Sequence, residues 1–234
     1  MVRSRMKLSN LQIVALGYFF VILTGTLLLL LPISTQSGTI SVLDALFTAV
    51  SASCVTGLVV QDTGTHWTIF GQIIILILIQ IGGLGFMTIS LSFLLLMRRR
   101  IGLRYREVMV ESINSTQIGG IIRLTRKILW GTLIFETLGA ALLAIRFVPQ
   151  FGWAKGLYFS VFHAISAFCN AGFDLFGNFQ SIVAYADDAL VNFTIMGLIT
   201  IGGLGFLVWD DILQKKFRIH RYRLQTKIVL STSL

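Results

Sequence analysis

Four long apolar runs separated by polar and glycine-containing connections dominate the chain: Leu11 to Leu31, Ile69 to Met97, Ile128 to Phe147 and Leu190 to Trp209. A helix rises 1.5 Å per residue, so about 20 residues cross a hydrocarbon core about 30 Å thick. The first, third and fourth runs match that length; the second is longer and is expected to tilt or to extend past the bilayer. None alternates with the period of two that marks a barrel strand, which leaves helices as the elements able to satisfy their own backbone in lipid. Two shorter apolar stretches, Leu43 to Cys54 and Phe159 to Cys169, follow the first and third runs and are too short to cross. The pattern predicts an all-α polytopic membrane protein. The first run is too long for the core of a signal peptide and ends in Leu31-Pro32 without a small-residue cleavage pattern, so it is read as a retained span.

Composition agrees. Hydrophobic residues make up 55% of the 234 and charged residues 12%, about half the charge of an ordinary soluble domain. Disorder is excluded, and a soluble globular enzyme is not expected. Eighteen Phe, 22 Gly and two Pro suit closely packed membrane helices. The two cysteines have neither disulfide-framework nor zinc spacing.

The net charge of +9 is unevenly placed. Arg3, Arg5 and Lys7 precede the first run. Arg98, Arg99, Arg100, Arg104, Arg106, Arg123, Arg126 and Lys127 lie between the second and third. Lys215, Lys216, Arg218, Arg221, Arg223 and Lys227 follow the fourth, leaving only Arg146 and Lys155 for the other connections. Positive-inside bias puts the N-terminus, the middle connection and the tail in the cytoplasm. The charge is a topology signal, and nucleic acid is not an expected partner.

The chain also repeats itself. With Phe47 aligned to Phe162, residues Ala49, Ser51, Ala52, Cys54 and Gly57 fall on Ala164, Ser166, Ala167, Cys169 and Gly172, an offset of 115. Ile81-Gly-Gly-Leu-Gly-Phe86 recurs as Ile201-Gly-Gly-Leu-Gly-Phe206, offset by 120. Such self-similarity marks a duplicated unit: span, short apolar helix, glycine turn, span. The expected division is a first unit over residues 1–97, a basic cytoplasmic connection over 98–127, a second unit over 128–209 and a basic tail over 210–234. Each short helix starts and returns outside, so it is expected to be re-entrant, and both units run in the same sense about an axis along the membrane normal. Ser41-Val-Leu-Asp44 reads as a capping box opening the first short helix.

The turns are where chemistry is expected. Non-helical backbone at membrane depth survives only inside protein or beside an aqueous path. The short helices, ending at Ser51 and Ala52 and at Ser166 and Ala167, direct their negative ends inward, which favours a cation. The residues that follow, Val55, Thr56 and Gly57, and Asn170, Ala171 and Gly172, carry no acid. Selection would then rest on backbone carbonyls, which suit desolvated K⁺, with Gly permitting the required backbone angles. Two hydrophobic hairpins acting as structural caps are the alternative.

At these residues the sequence resembles the Trk/Ktr/HKT superfamily of potassium transporters, and most of all its bacterial Ktr-type pore subunits. The resemblance is carried by Leu31-Pro-Ile-Ser34, Asp44-Ala-Leu-Phe47, Val55-Thr-Gly-Leu58, Ile79-Gln-Ile-Gly-Gly-Leu-Gly-Phe-Met87, His163-Ala-Ile-Ser-Ala-Phe168 and Asn170-Ala-Gly-Phe173. It implies K⁺ uptake across the plasma membrane through one path lined by four span–pore-helix–span units, with one filter glycine per unit. Gly57 and Gly172 match those glycines. It implies no resident cofactor, transported K⁺ with Na⁺ stimulation, a homodimer at full length and a cytoplasmic ring of nucleotide-binding regulatory subunits. This chain has two units where the family has four, and Arg223 to Leu234 looks like the start of a third. It is expected to be an N-terminal fragment or truncated product, with pairing of two such chains as a second route to four units. A non-conducting membrane protein that only assembles with partners is the alternative function.

Taken singly, Cys54 and Cys169 read as small buried residues, and His66, His163 and His220 share no ligand spacing. Glu136, the one acid well inside a span, is a functional candidate weighed against simple hydrogen bonding to a neighbour. Asp62, Asp174, Asp187 and Asp188 are expected in outer loops as solvated residues, or as a means of concentrating cations. Gly82 to Gly85 and Gly202 to Gly205 lack the Lys-Ser/Thr of a phosphate loop and are expected to permit close helix approach. Tyr105 to Arg126 is expected to form an interfacial cytoplasmic helix. Reporter fusions after Arg100 and Lys216 should read cytoplasmic and one near Gln180 external; an external signal at Arg100 would overturn the orientation.

Overall fold

The computed structural model describes residues 9–85, 88–89, 121–215 and 219–233. The basic stretch 98–120, most of the expected interfacial helix and the far part of the second apolar run lie outside the described residues. Among the described residues eight α-helices follow in order: α1 (Asn10–Leu29), α2 (Val42–Ser53), α3 (Ile69–Leu84), α4 (Ile121–Phe151), α5 (Trp153–Phe168), α6 (Ala189–Gly203), α7 (Phe206–Lys215) and α8 (Leu224–Ser233). The fold is all-α, with a single antiparallel bridge between Thr35 and Trp67 among the described residues.

Helix starts are written locally. Ser9 and Gln12 form a reciprocal capping box on α1. Ser41 caps α2 by accepting from Asp44 N at 3.0 Å. The second half of the box expected there is replaced: the Asp44 carboxylate accepts from Gln61 Nε2 at 3.1 Å, tying the helix to the loop that leaves it. Thr68 and Asp188 cap α3 and α6.

By length and composition α1 and α4 can each cross a bilayer, and α6 with α7 would make a third span bent by 90°. Three expectations shift. The third span is longer than its apolar run, beginning at Ile121 and including Arg123, Arg126 and Lys127. The second short helix starts at Trp153 and has 16 residues, against 12 for α2. The second and fourth runs are not straight spans: α3 ends at Gly85 (φ 81°), and Gly205 (φ 83°) separates α6 from α7. The last glycine of each Gly-Gly-Leu-Gly run therefore breaks a helix, because only glycine adopts that angle without a Cβ penalty.

The short helices occupy the centre. Ala45, Ala49, Ala52, Phe162 and Ala164 are wholly buried. The long helices face outward with apolar side chains such as Phe19, Phe20, Trp130 and Phe193, all more than half exposed. An apolar exterior around a packed centre of short helices suits lipid. Helix pairing repeats: Gly25 of α1 receives Leu78 of α3, and Gly139 of α4 receives Leu198 of α6.

The two halves are sewn together on the side of the α2–α3 and α5–α6 connections. Asp62 accepts from Thr65 N and Thr65 Oγ1, both at 2.8 Å, and from Phe179 N of the other half at 2.7 Å. It is 8% exposed, so the expectation of a solvated loop residue fails: its carboxylate is a cross-link. Tyr158 Oη of α5 donates to Gln72 Oε1 of α3 at 3.0 Å. Burial pushes the Asp62 carboxyl up, but the hydrogen bonds from Phe179 and Thr65 outweigh it and hold the group below its ordinary value. A depressed carboxylate stabilises the fold above its unfolded pKa and loses that contribution as pH falls through the lower folded value. Asp62→Ala should cost about 1–3 kcal/mol by orphaning buried donors. In detergent it should lower the melting temperature at pH 7, and the gap to wild type should narrow below about pH 4.

Candidate functional site

Both short helices end in the same reversal. In α2, Val55 N donates to Ala52 O at 3.3 Å and Thr56 N to Ser51 O at 2.9 Å. In α5, Asn170 N donates to Ala167 O at 3.0 Å and Ala171 N to Ser166 O at 2.8 Å. This is the Schellman pattern, in which the residue after the cap turns left-handed. That residue is Val55 (φ 57°) in one turn and Asn170 (φ 58°) in the other. Glycine is usual there; a β-branched valine is a strained choice costing of order 1–3 kcal/mol. Two residues on, Gly57 (φ 74°) and Gly172 (φ 72°) are left-handed again.

The hydroxyls complete the match. Ser51 Oγ donates to Leu58 O at 2.7 Å, and Ser166 Oγ to Phe173 O at 2.6 Å. Each buried serine closes its turn across seven residues. The expected helix-end residues Ser51, Ala52, Ser166 and Ala167 thus brace the turns, and their carbonyls are already used within the chain.

The turns also meet each other. A Cβ on Gly57 would lie 2.5 Å from Ala171 O, and one on Gly172 would lie 3.7 Å from the Gly57 Cα. Gly57 is therefore brought against Ala171 and Gly172, although the two turns lie 115 residues apart in sequence. Thr56 Oγ1 is 2.9 Å from Ser51 Oγ, so its hydroxyl is tied into its own turn. No acid lies in either turn. Asp174 is the nearest in sequence; burial pushes its carboxyl up against the bond from Phe176 N, and the charge of Asp62 adds to the rise. Among the described residues no group of three or more acids, histidines or cysteines is placed to hold a metal ion.

Glycines of α3 and α6 wrap the turns, as expected for close approach. Gly82 lies against Ser53 O, and Gly202 against Phe168 O, the equivalent atom. Gly83 meets Cys169 of the other half, where a Cβ would come within 2.5 Å of Sγ. Gly203, its counterpart, meets only the amide of Asn170, at 3.8 Å. This explains a corrected expectation: Cys169 is buried but Cys54 is exposed. The two cysteines are equivalent in sequence and not in surroundings, because among the described residues no glycine of a preceding unit covers Cys54.

His163 is a packing residue. Its Nδ1 bonds Phe159 O at 2.7 Å, and its Nε2 accepts from Leu175 N at 3.3 Å, fixing the segment beyond the second turn. Asp188 caps α6 and pairs with Arg146 at 2.8 Å. Glu136 accepts from Gln80 Nε2 at 2.9 Å, so it is hydrogen-bonded to a neighbouring helix, with a partner that its own stretch of sequence does not name.

The TrkH family of cation transport proteins matches residues 6–232. The chain belongs to that family. It is 44% identical over 99% of its length to the potassium/sodium uptake protein NtpJ of Enterococcus hirae, covering 51% of that protein. It is 45% identical over 95% of its length to the Ktr system potassium uptake protein B of Bacillus subtilis, covering 49%. Against the protein of the same name in Vibrio alginolyticus the figures are 41%, 97% and 50%. The chain spans about half the length of these curated relatives. Membership makes it a multi-pass membrane protein of a transporter family rather than of an enzyme family.

Ser166→Ala should leave Phe173 O without its donor and cost about 1 kcal/mol. Ser51→Ala should lower the melting temperature at least as far, since it removes the equivalent bond to Leu58 O and also the partner of the Thr56 hydroxyl.

Proposed function

We propose that this chain supplies two of the four turns of a K⁺ uptake pore. The observation that carries the reading is the pair of matched, acid-free turns brought together at Gly57 and Ala171. Carbonyls of Val55, Thr56, Gly57, Asn170, Ala171 and Gly172 would replace the hydration shell of K⁺, as four such loops do in potassium channels. Permeation follows the electrochemical gradient and needs no covalent chemistry. The names of the relatives support K⁺ as substrate, and one adds Na⁺.

A complete ring takes two more turns. The exposed Cys54 edge and the open Gly203 edge are the two halves of the seam that Gly83 and Cys169 close inside the chain. A further pair of units, in the same polypeptide or in a second copy related by a two-fold axis, would fit there. Plasma-membrane placement with a cytoplasmic N-terminus rests on the basic bias. A homodimer at full length and a cytoplasmic nucleotide-binding ring rest on the family resemblance alone. The alternative, a non-conducting protein that only assembles with partners, is favoured by the same open edges.

In liposomes under an imposed gradient, the chain joined to two further family units should pass K⁺ in preference to Na⁺. Gly57→Ser or Gly172→Ser should erode that preference with insertion intact, the former more because of its 2.5 Å approach to Ala171 O. The 234-residue chain alone should insert without conducting. K⁺-selective flux from it would favour the two-copy ring; unchanged selectivity in both variants would remove the carbonyl assignment.

A further inference from the structure

Behind the second turn lies a buried polar relay that has no counterpart behind the first among the described residues. Glu136 sits well inside α4 and is 9% exposed. Its Oε1 accepts from Gln80 Nε2 of α3 at 2.9 Å. Gln80 Oε1 in turn accepts from Cys169 Sγ at 3.8 Å. Cys169 is the C-cap of α5, and the next residue is left-handed Asn170. Gln80 and Gly83 are three apart on α3 and share a face; one bonds the Cys169 thiol while the other packs against it. Three helices thus converge on the single residue from which the second turn departs.

The relay is not part of the repeated design. The Ile81 motif places Thr200 opposite Gln80, and the Thr200 hydroxyl returns to Met196 O of its own helix at 2.8 Å. The matched glycines Gly25 and Gly139 place Ile22 opposite Glu136. On the two open edges of the chain Ile22 offers an apolar side chain and Thr200 a self-satisfied hydroxyl, so neither repeats the acid or the amide. A buried acid is costly in a membrane interior, so its presence at the seam closed within this chain, bonded toward the turn, asks for a local reason. Simple structural glue between α3 and α4 would need no thiol at its end.

We propose that Glu136 is a positioning residue which, through Gln80, fixes Cys169 and so sets the backbone of Asn170 to Gly172. This rests on the reading of those residues as K⁺ ligands, and makes the two turns unequal: the second is clamped from behind, the first held by its own serine and hydroxyl pair.

Two readouts test this. In the 234-residue chain carrying Cys54→Ser, maleimide labelling of Cys169 follows the clamp directly, whether or not a pore forms. Glu136→Ala and Gln80→Ala should each speed it by about fivefold, the weight of one lost hydrogen bond. Glu136→Gln, which keeps an acceptor for Gln80, should restore the slow rate. Unchanged labelling in both alanine variants would overturn the clamp. In the four-unit protein used for flux, Gln80→Ala and Glu136→Ala should lower the K⁺ over Na⁺ ratio, with Glu136→Gln near wild type. A loss of packing alone would reduce both fluxes together and leave the ratio fixed, which would overturn the positioning role. Absence of K⁺ flux in the unmodified protein would overturn the transport reading instead, and the labelling result would still decide the clamp. Where Glu136→Ala fails to insert, Gln80→Ala carries both measurements.

Discussion

A helix that stops in the interior of a membrane protein leaves its last carbonyls facing no water, and the backbone must supply the missing donors. In α2 and α5 this constraint is met by turning left-handed at once, so that two amides fold back onto the carbonyls of Ser51 and Ala52, or of Ser166 and Ala167. The serine hydroxyl then reaches forward to the chain leaving the turn. Val55 tolerates a strained angle to make this possible. Most of the rest follows. The helices are short because the turn must lie deep, the long helices surround them, and the glycines of α3 and α6 let backbone approach backbone.

Duplication sets the shape of the site and also its inequality. Equivalent residues share the backbone and serine hydrogen bonds of their turns but have different neighbours. Gly83 and Cys169 close the inner seam; Gly203 and Cys54 are its two separated halves. The polar seam residues Gln80 and Glu136 fall on the closed side. Asp62 joins the same pair of units through Phe179.

The features legible in the sequence were those encoded within about a dozen residues or by repetition. Apolar run length gave α1 and α4, Ser41 gave the start of α2, and the 115-residue offset paired the turns before any coordinates placed them together. What stayed hidden depended on distant partners. Nothing near Asp62 announces Phe179, and Cys54 and Cys169 look alike until the chain around each is placed. Gly85 and Gly205 are a different case: the third glycine of each run carries the signal of a helix break, but close packing accounts for every glycine of the run equally well. The extra length of α5 is hidden because Trp153, Lys155 and Gly156 show no apolar periodicity, although the helix starts directly after Gly152.

The central claim is that the two turns together form part of one coordination shell. Anomalous scattering from Rb⁺ in crystals of the chain joined to two further family units tests it most directly, because Rb⁺ substitutes for K⁺ among oxygen ligands. The account predicts an anomalous peak ringed by carbonyls of residues 55–57 and 170–172. A peak elsewhere, with these carbonyls bonded only to protein, would contradict it.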